Sequence, residues 1–194
     1  MYSGPAAHLS NLVPSNACLH RPSLSIIYEF LSGIQIPVET IALASCILDA
    51  LSSKFARRWR QRILRASRLA LSSSLKAEVI VVSAVALAHA YCDDRHSSTL
   101  FWSQQIPRVA LSVEGINATS VCIMEDIDYS LERVARPEMI ERAIEDMREA
   151  GRNLDSLRRM GGFTDGAVDM DDEEIASNDE DARGVKYWSG LPTP

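Results

Sequence analysis

The sequence predicts an all-α domain, and three observations carry that expectation. Apolar residues recur at three- and four-residue steps in several separate stretches, which is the period of an amphipathic helix. The most apolar stretch, residues 77–93, is rich in Ala and longer than a buried strand usually runs. Pro37, Pro107 and Pro137, together with Gly33 and Ser72-Ser73-Ser74, punctuate the chain where the periodicity breaks.

In chain order, residues 1–22 mix Pro, Ser, Asn and Gly without periodicity and are expected to form a flexible arm. Ser23 can cap a short helix in which Leu24, Ile27, Phe30 and Leu31 recur, ended by Gly33. Pro37 suits a helix start, where its missing N–H costs nothing, and Ile41, Ala44, Leu48, Leu51 and Phe55 follow as one stripe. The Arg-dense segment 56–76 reads as a long connection with a frayed helical extension.

Residues 77–93, AEVIVVSAVALAHAYCD, are apolar almost all the way round, so a helix here is the central rod of the domain. The β-branched Val79-Ile80-Val81-Val82 also suits a buried strand, but length and Ala content favour helix. After the polar turn Asp93-Asp94-Arg95-His96, Ser97 or Ser98 can cap a short helix through Thr99-Leu100-Phe101-Trp102, stopped by Pro107. A longer helix follows from about residue 113 to 134. Its Ile116, Ile123, Ile127, Leu131 and Val134 face one way, while Cys122, Glu125, Asp126 and Tyr129 share a mixed apolar and acidic face.

Pro137 restarts a charged helix carrying Met139, Ile140, Ile144 and Met147 on one side, running to Gly151 or Gly161. The remainder is acidic and poor in large apolar residues until Tyr187-Trp188, as expected of disorder. The expected organisation is therefore a flexible arm over 1–22, a helical domain over 23–134, an appended charged helix over 135–160 and an acidic disordered tail over 161–194.

Composition narrows the function classes. With 46% hydrophobic and 24% charged residues the chain matches ordinary globular proteins. A net charge of −6 weighs against generic nucleic-acid affinity, which rests on an excess of Lys and Arg. Charge is unevenly placed: Lys54, Arg57, Arg58, Arg60, Arg62, Arg65 and Arg68 fall within one short run, and residues 165–181 are dominated by Asp and Glu. The basic run also holds Phe55 and Trp59, the Arg-plus-aromatic mixture of nucleic-acid binders, although an acidic protein can neutralise such a run internally or present it to an acidic partner.

Cys18, Cys46, Cys92 and Cys122 are widely spaced and read as reduced thiols. The longest apolar run, residues 79–88, is about half of the ~20 residues that a membrane span needs, so the expected compartment is cytosol or nucleus. Asn117-Ala118-Thr119 matches a glycosylation sequon and is read as accidental.

Catalytic motifs are not evident. The chain has no Gly-rich phosphate loop, no Gly-x-Ser-x-Gly elbow and no Cys-x-x-Cys pair. His89, Cys92, Asp93, Asp94 and His96 invite a metal hypothesis, but no second ligand pair stands at matching spacing, and a helix end with a solvated acidic turn explains the same residues. No metal, cofactor or enzymatic activity is expected.

The order and texture of these helices resemble the cyclin box, and within it the fungal cyclin-like proteins of the Pcl type. The resemblance rests on Pro37-Val38-Glu39-Thr40 leading into ALASCILDAL at 42–51, on AEVIVVSAVALAHAYCDDRHSST at 77–99 and on INATSVCIMEDIDYSL at 116–131. It implies a five-helix bundle around the 78–93 helix and a regulatory subunit that binds a cyclin-dependent protein kinase without catalysing anything itself. In the family the central helix ends in Ala-Ser-Lys followed by an aromatic and acidic residues, and the last helix carries a Glu; this Lys and Glu bond kinase backbone groups. Glu125 and Tyr91 match that pattern, whereas Ala90 stands in the Lys position. A charge-assisted hydrogen bond of that kind contributes on the order of 1.5–3 kcal/mol. The implied partner-binding surface comprises Glu125, Tyr91, Ala90, Cys122, Asp126 and Tyr129.

Overall fold

The computed structural model describes residues 2–66, 76–93, 97–106 and 109–159, all within one packed unit, and every regular element among them is a helix. Among the described residues nine helices follow in order: α1 (Ser3–Leu12), α2 (Leu24–Ile34), α3 (Val38–Asp49), α4 (Phe55–Ala66), α5 (Glu78–Cys92), α6 (Thr99–Gln104), α7 (Val113–Asp126), α8 (Leu131–Val134) and α9 (Pro137–Arg159). The expected tail over 161–194 lies outside the described residues.

Two helices form the centre. In α3 every residue from Thr40 to Leu48 is buried, and in α5 every residue from Val79 to Val85. Helices apolar on all sides can only be stable when enclosed, and these two pack against each other. On one side α7 covers α5, α4 covers α7, and α6 lies against α7; on the other side α9 covers α3, and α1 packs on α9. The Ala and Val of α5 keep its surface shallow, which lets neighbouring backbones approach.

Several helix ends follow local chemistry. Ser98, of the two candidate caps, accepts a hydrogen bond from the Phe101 N–H at 3.2 Å. Ser112 accepts one from the Gly115 N–H at 2.9 Å and so starts α7. Pro37 stands immediately before α3. Ser23 precedes α2, but its backbone N–H donates to Glu78 Oε1 at 3.0 Å, tying α2 to the start of α5.

Five expectations are corrected. The arm expected over 1–22 contains α1, with Ala6 and Leu9 fully buried and Val13 and Ala17 nearly so. Its burial uses small side chains: a Cβ on Gly4 would stand 2.2 Å from the Met147 carbonyl oxygen, so α1 and α9 touch backbone to backbone. Large-residue periodicity was therefore no guide there. The connection expected after residue 55 is α4, a full element whose Phe55, Ala56, Trp59 and Ile63 enter the core.

Gly33 does not end α2, which continues to Ile34 and closes on Gln35 in the left-handed region (φ 48). The single helix expected over 113–134 stops at Asp126, because Asp128 and Tyr129 both take positive φ (53 and 54) and turn the chain into the short α8. The charged helix over 135–160 is no appendage, since Ala143 and Met147 of α9 are buried against α1 and α3.

Candidate functional site

The residues expected to meet a partner sit on α5, on α7 and just past its end, and what surrounds those at the end of α7 is decided by α4. That helix is amphipathic: Phe55, Ala56, Trp59 and Ile63 recur at the helical period and are buried, so its cations are driven to the flanks and the outer face. Trp59 seats α4 on α7, its indole N–H donating to Thr119 Oγ1 at 2.8 Å while the Thr119 hydroxyl donates to the Gly115 carbonyl at 2.7 Å. Thr119, the third residue of the sequon, is fully buried in the α4–α7 interface.

Once α4 is seated, Arg58 and Arg62, one turn apart, reach the two acids at the end of α7. Arg62 Nη2 lies 2.8 and 2.9 Å from the two carboxylate oxygens of Glu125. Both side chains remain over a third exposed, 37% and 36%. The hydrogen bond to Glu125 is the main cause that holds the Arg62 guanidinium above its ordinary pKa. Asp126 is placed differently, for its side chain has no exposed surface. It accepts from the Ser52 N–H at 2.6 Å, from Ser52 Oγ at 3.0 Å and from Arg58 Nη2. Asp126 thus stitches the α3–α4 turn to the end of α7.

Of the other expected residues on α7, Cys122 is buried, and burial pushes its thiol pKa up. Tyr129 lies past the helix end with 61% of its surface exposed, its N–H donating to the Met124 carbonyl at 2.7 Å. Ala90 and Tyr91 are exposed at the C-terminal end of α5. That end belongs to a different part of the surface. His89 stacks edge-on against Trp102 of α6 at 5.4 Å, and Thr99 at the start of α6 bonds Asn117 at 2.9 Å. Asn117 precedes Glu125 by eight residues, roughly 12 Å along α7. Exposed Leu100 and Phe101 of α6 and Tyr91 and Ala90 of α5 belong to that part of the surface, whereas Glu125, Asp126 and Tyr129 cluster at the α7 terminus with Arg58 and Arg62.

Sequence reasoning placed the acidic pair but not its intramolecular partners. The available signal was the helical spacing of Arg58 and Arg62 in a net-acidic chain, which pointed to internal neutralisation without naming the acids. Two grooves went unforeseen because both involve α1. One, of 260 Å³, runs between α1, α3 and α9 and is lined by His8, Cys46, Asp49, Arg142 and Asp146; another, of 420 Å³, continues between α1 and α9 past Asn11, Glu149 and Asn153.

Burial lowers the pKa of the His8 imidazole in these grooves, opposed by Asp146 and Asp49. Burial, reinforced by Asp49, pushes the Cys46 thiol up to about 11. All four cysteines are free thiols. Among the described residues no group of three His, Cys, Asp or Glu side chains is arranged to hold a metal ion, and Asp94 and His96 lie outside them. No helix among the described residues is long and apolar enough to cross a membrane.

No protein-family model, curated protein or solved structure matches this chain.

Proposed function

We propose that this chain is a non-catalytic regulatory subunit of cyclin-box type that binds a cyclin-dependent protein kinase and modulates its activity or substrate choice. The observation that carries the reading is the end of α7, where Glu125 keeps a third of its side chain in solvent beside exposed Tyr129, on a helix braced by the enclosed α5. A carboxylate has about four lone-pair sites, so one Arg62 nitrogen leaves Glu125 able to accept backbone donors from a partner. The cyclin-like segments at 42–51, 77–99 and 116–131 supply the kinase as the partner's class.

Co-purification of a tagged full-length chain, with mass spectrometric identification of bound kinases, tests the reading. Glu125→Arg combined with Arg62→Glu reverses the carboxylate offered to the partner while preserving the internal ion pair. Kinase recovery is expected to fall at least about tenfold. Recovery of no kinase by the native chain, or equal recovery by both, would overturn the proposal.

A second reading is a cyclin-fold scaffold that does not activate a kinase. It is favoured by Ala90, which leaves the α5 end without the Lys that the resemblance calls for, and by the separation of that end from Glu125. Ala90→Lys should then strengthen kinase binding, and the absence of any gain argues against this account.

A further inference from the structure

The cations of α4, with Lys54 immediately before it, divide into two sets. Arg58 and Arg62 are committed to Asp126 and Glu125, and Arg60 donates to the Asn16 carbonyl oxygen. Lys54, Arg57 and Arg65 form a second set: all are exposed, and none makes an ion pair among the described residues. At 100° per residue, Lys54, Arg57, Gln61, Leu64 and Arg65 fall on one face, opposite the buried Phe55, Trp59 and Ile63. Leu64 lies among these cations with 52% of its surface in solvent.

We infer that this outer face of α4, with Arg57, Leu64 and Arg65 at its centre, is a docking surface for an Asp/Glu-rich segment of a partner protein that carries an apolar side chain. Charge complementarity supports the acidic peptide, because a guanidinium presents a planar fork of donors that matches a carboxylate. Leu64, on the same exposed face, offers an apolar contact that a bare phosphate backbone would leave unused. The face is also held in orientation, since the bonds of Arg58, Arg60 and Arg62 to neighbouring segments fix the roll of the helix before any partner arrives.

Nucleic acid is the competing polyanion, and it fits less well. Single-strand binders stack bases on exposed aromatic rings, but Phe55 and Trp59 are fully buried, and the Trp59 N–H is consumed by Thr119. The chain's net charge of −6 opposes a long polyanion further. The inference is independent of the kinase reading, which uses the other flank of α4 through Glu125.

Fluorescence anisotropy with the full-length chain tests it. The probes are a labelled short peptide of Asp and Glu with one central Leu, and labelled single-stranded and duplex DNA oligonucleotides. The native chain is expected to bind the peptide more tightly than either oligonucleotide. Arg57→Glu with Arg65→Glu should weaken peptide binding at least about tenfold, and Leu64→Ser by a few-fold. Circular dichroism and thermal midpoint should be unchanged in both variants, because all three side chains lie on the exposed face. No peptide binding by the native chain, equal binding by the charge-reversed variant, or tighter binding of an oligonucleotide would overturn the assignment. Kinase recovery by the same variant separates the two proposals, since Glu125 and Arg62 are untouched in it.

Discussion

Glu125 and Asp126 are neighbours in sequence with different duties in the fold. Asp126 has a fully covered carboxylate that holds Ser52 and Arg58, so Asp126→Ala removes the charged acceptor that ties the α3–α4 turn and Arg58 to the end of α7. A stability loss of about 1.5–3 kcal/mol is expected from urea unfolding. Glu125→Ala breaks a pair that is over a third exposed, where water and salt screen the attraction, and should cost less than about 1 kcal/mol. A reversed ranking would refute the assignment of Asp126 to the α3–α4 turn. His8 gives a pH dependence. Its folded pKa is depressed by burial, so protons bind the unfolded chain more readily. Its contribution is complete above the ordinary imidazole value and is lost as pH falls through the folded one. The thermal midpoint of the native chain should therefore drop more between about pH 7 and about pH 5 than that of His8→Gln. At this scale the sequence placed the α7 acids together but could not say that one faces in and the other out, because successive helical residues diverge by about 100° and only the seat of α4 decides which is covered.

Helices α1 and α9 meet through glycine and small residues, a contact that hydrophobic periodicity does not advertise. Gly4→Ala forces a Cβ against the Met147 carbonyl, a backbone atom that cannot move alone, so α1 should lift from α9. Amide exchange across residues 3–12 should accelerate, and proteases should cut near residues 13–17, while α3 and α5 stay protected. Gly33→Ala is the control. Its Cβ meets nothing within 4 Å on an exposed turn of α2, and it should stabilise the chain by up to about 1 kcal/mol through helix propensity. Equal exchange in Gly4→Ala and the native chain would show that the close approach is not needed. The helices α2, α3, α5 and α6 were legible because their apolar spacing and their punctuation, Pro37 and Ser98 above all, are local. Helix α4 was harder to see, since its apolar stripe of Phe55, Trp59 and Ile63 is interleaved with arginines.

Across the whole molecule, thiol accessibility reports how cooperatively the bundle opens. Cys92 is exposed at the end of α5, whereas Cys46 and Cys122 are buried in α3 and α7 with raised pKa values. Cys92 should react quickly with a thiol reagent in the native state, and Cys46 and Cys122 only at the rate of global unfolding. Rapid native-state labelling of Cys122 would contradict its place in the core. By itself the sequence determined that the chain is helical and that α5 is enclosed, because a residue's burial repeats at the helical period and leaves its mark within one stretch of chain. Only the tertiary structure decided that residues 3–12 form a packed helix, that Arg62 reaches Glu125 from 63 positions away, and which arginines of α4 pair with the acids of α7. Those outcomes depend on which faces come together in space, and side chains so distant along the chain interact only after α4 has settled onto α7.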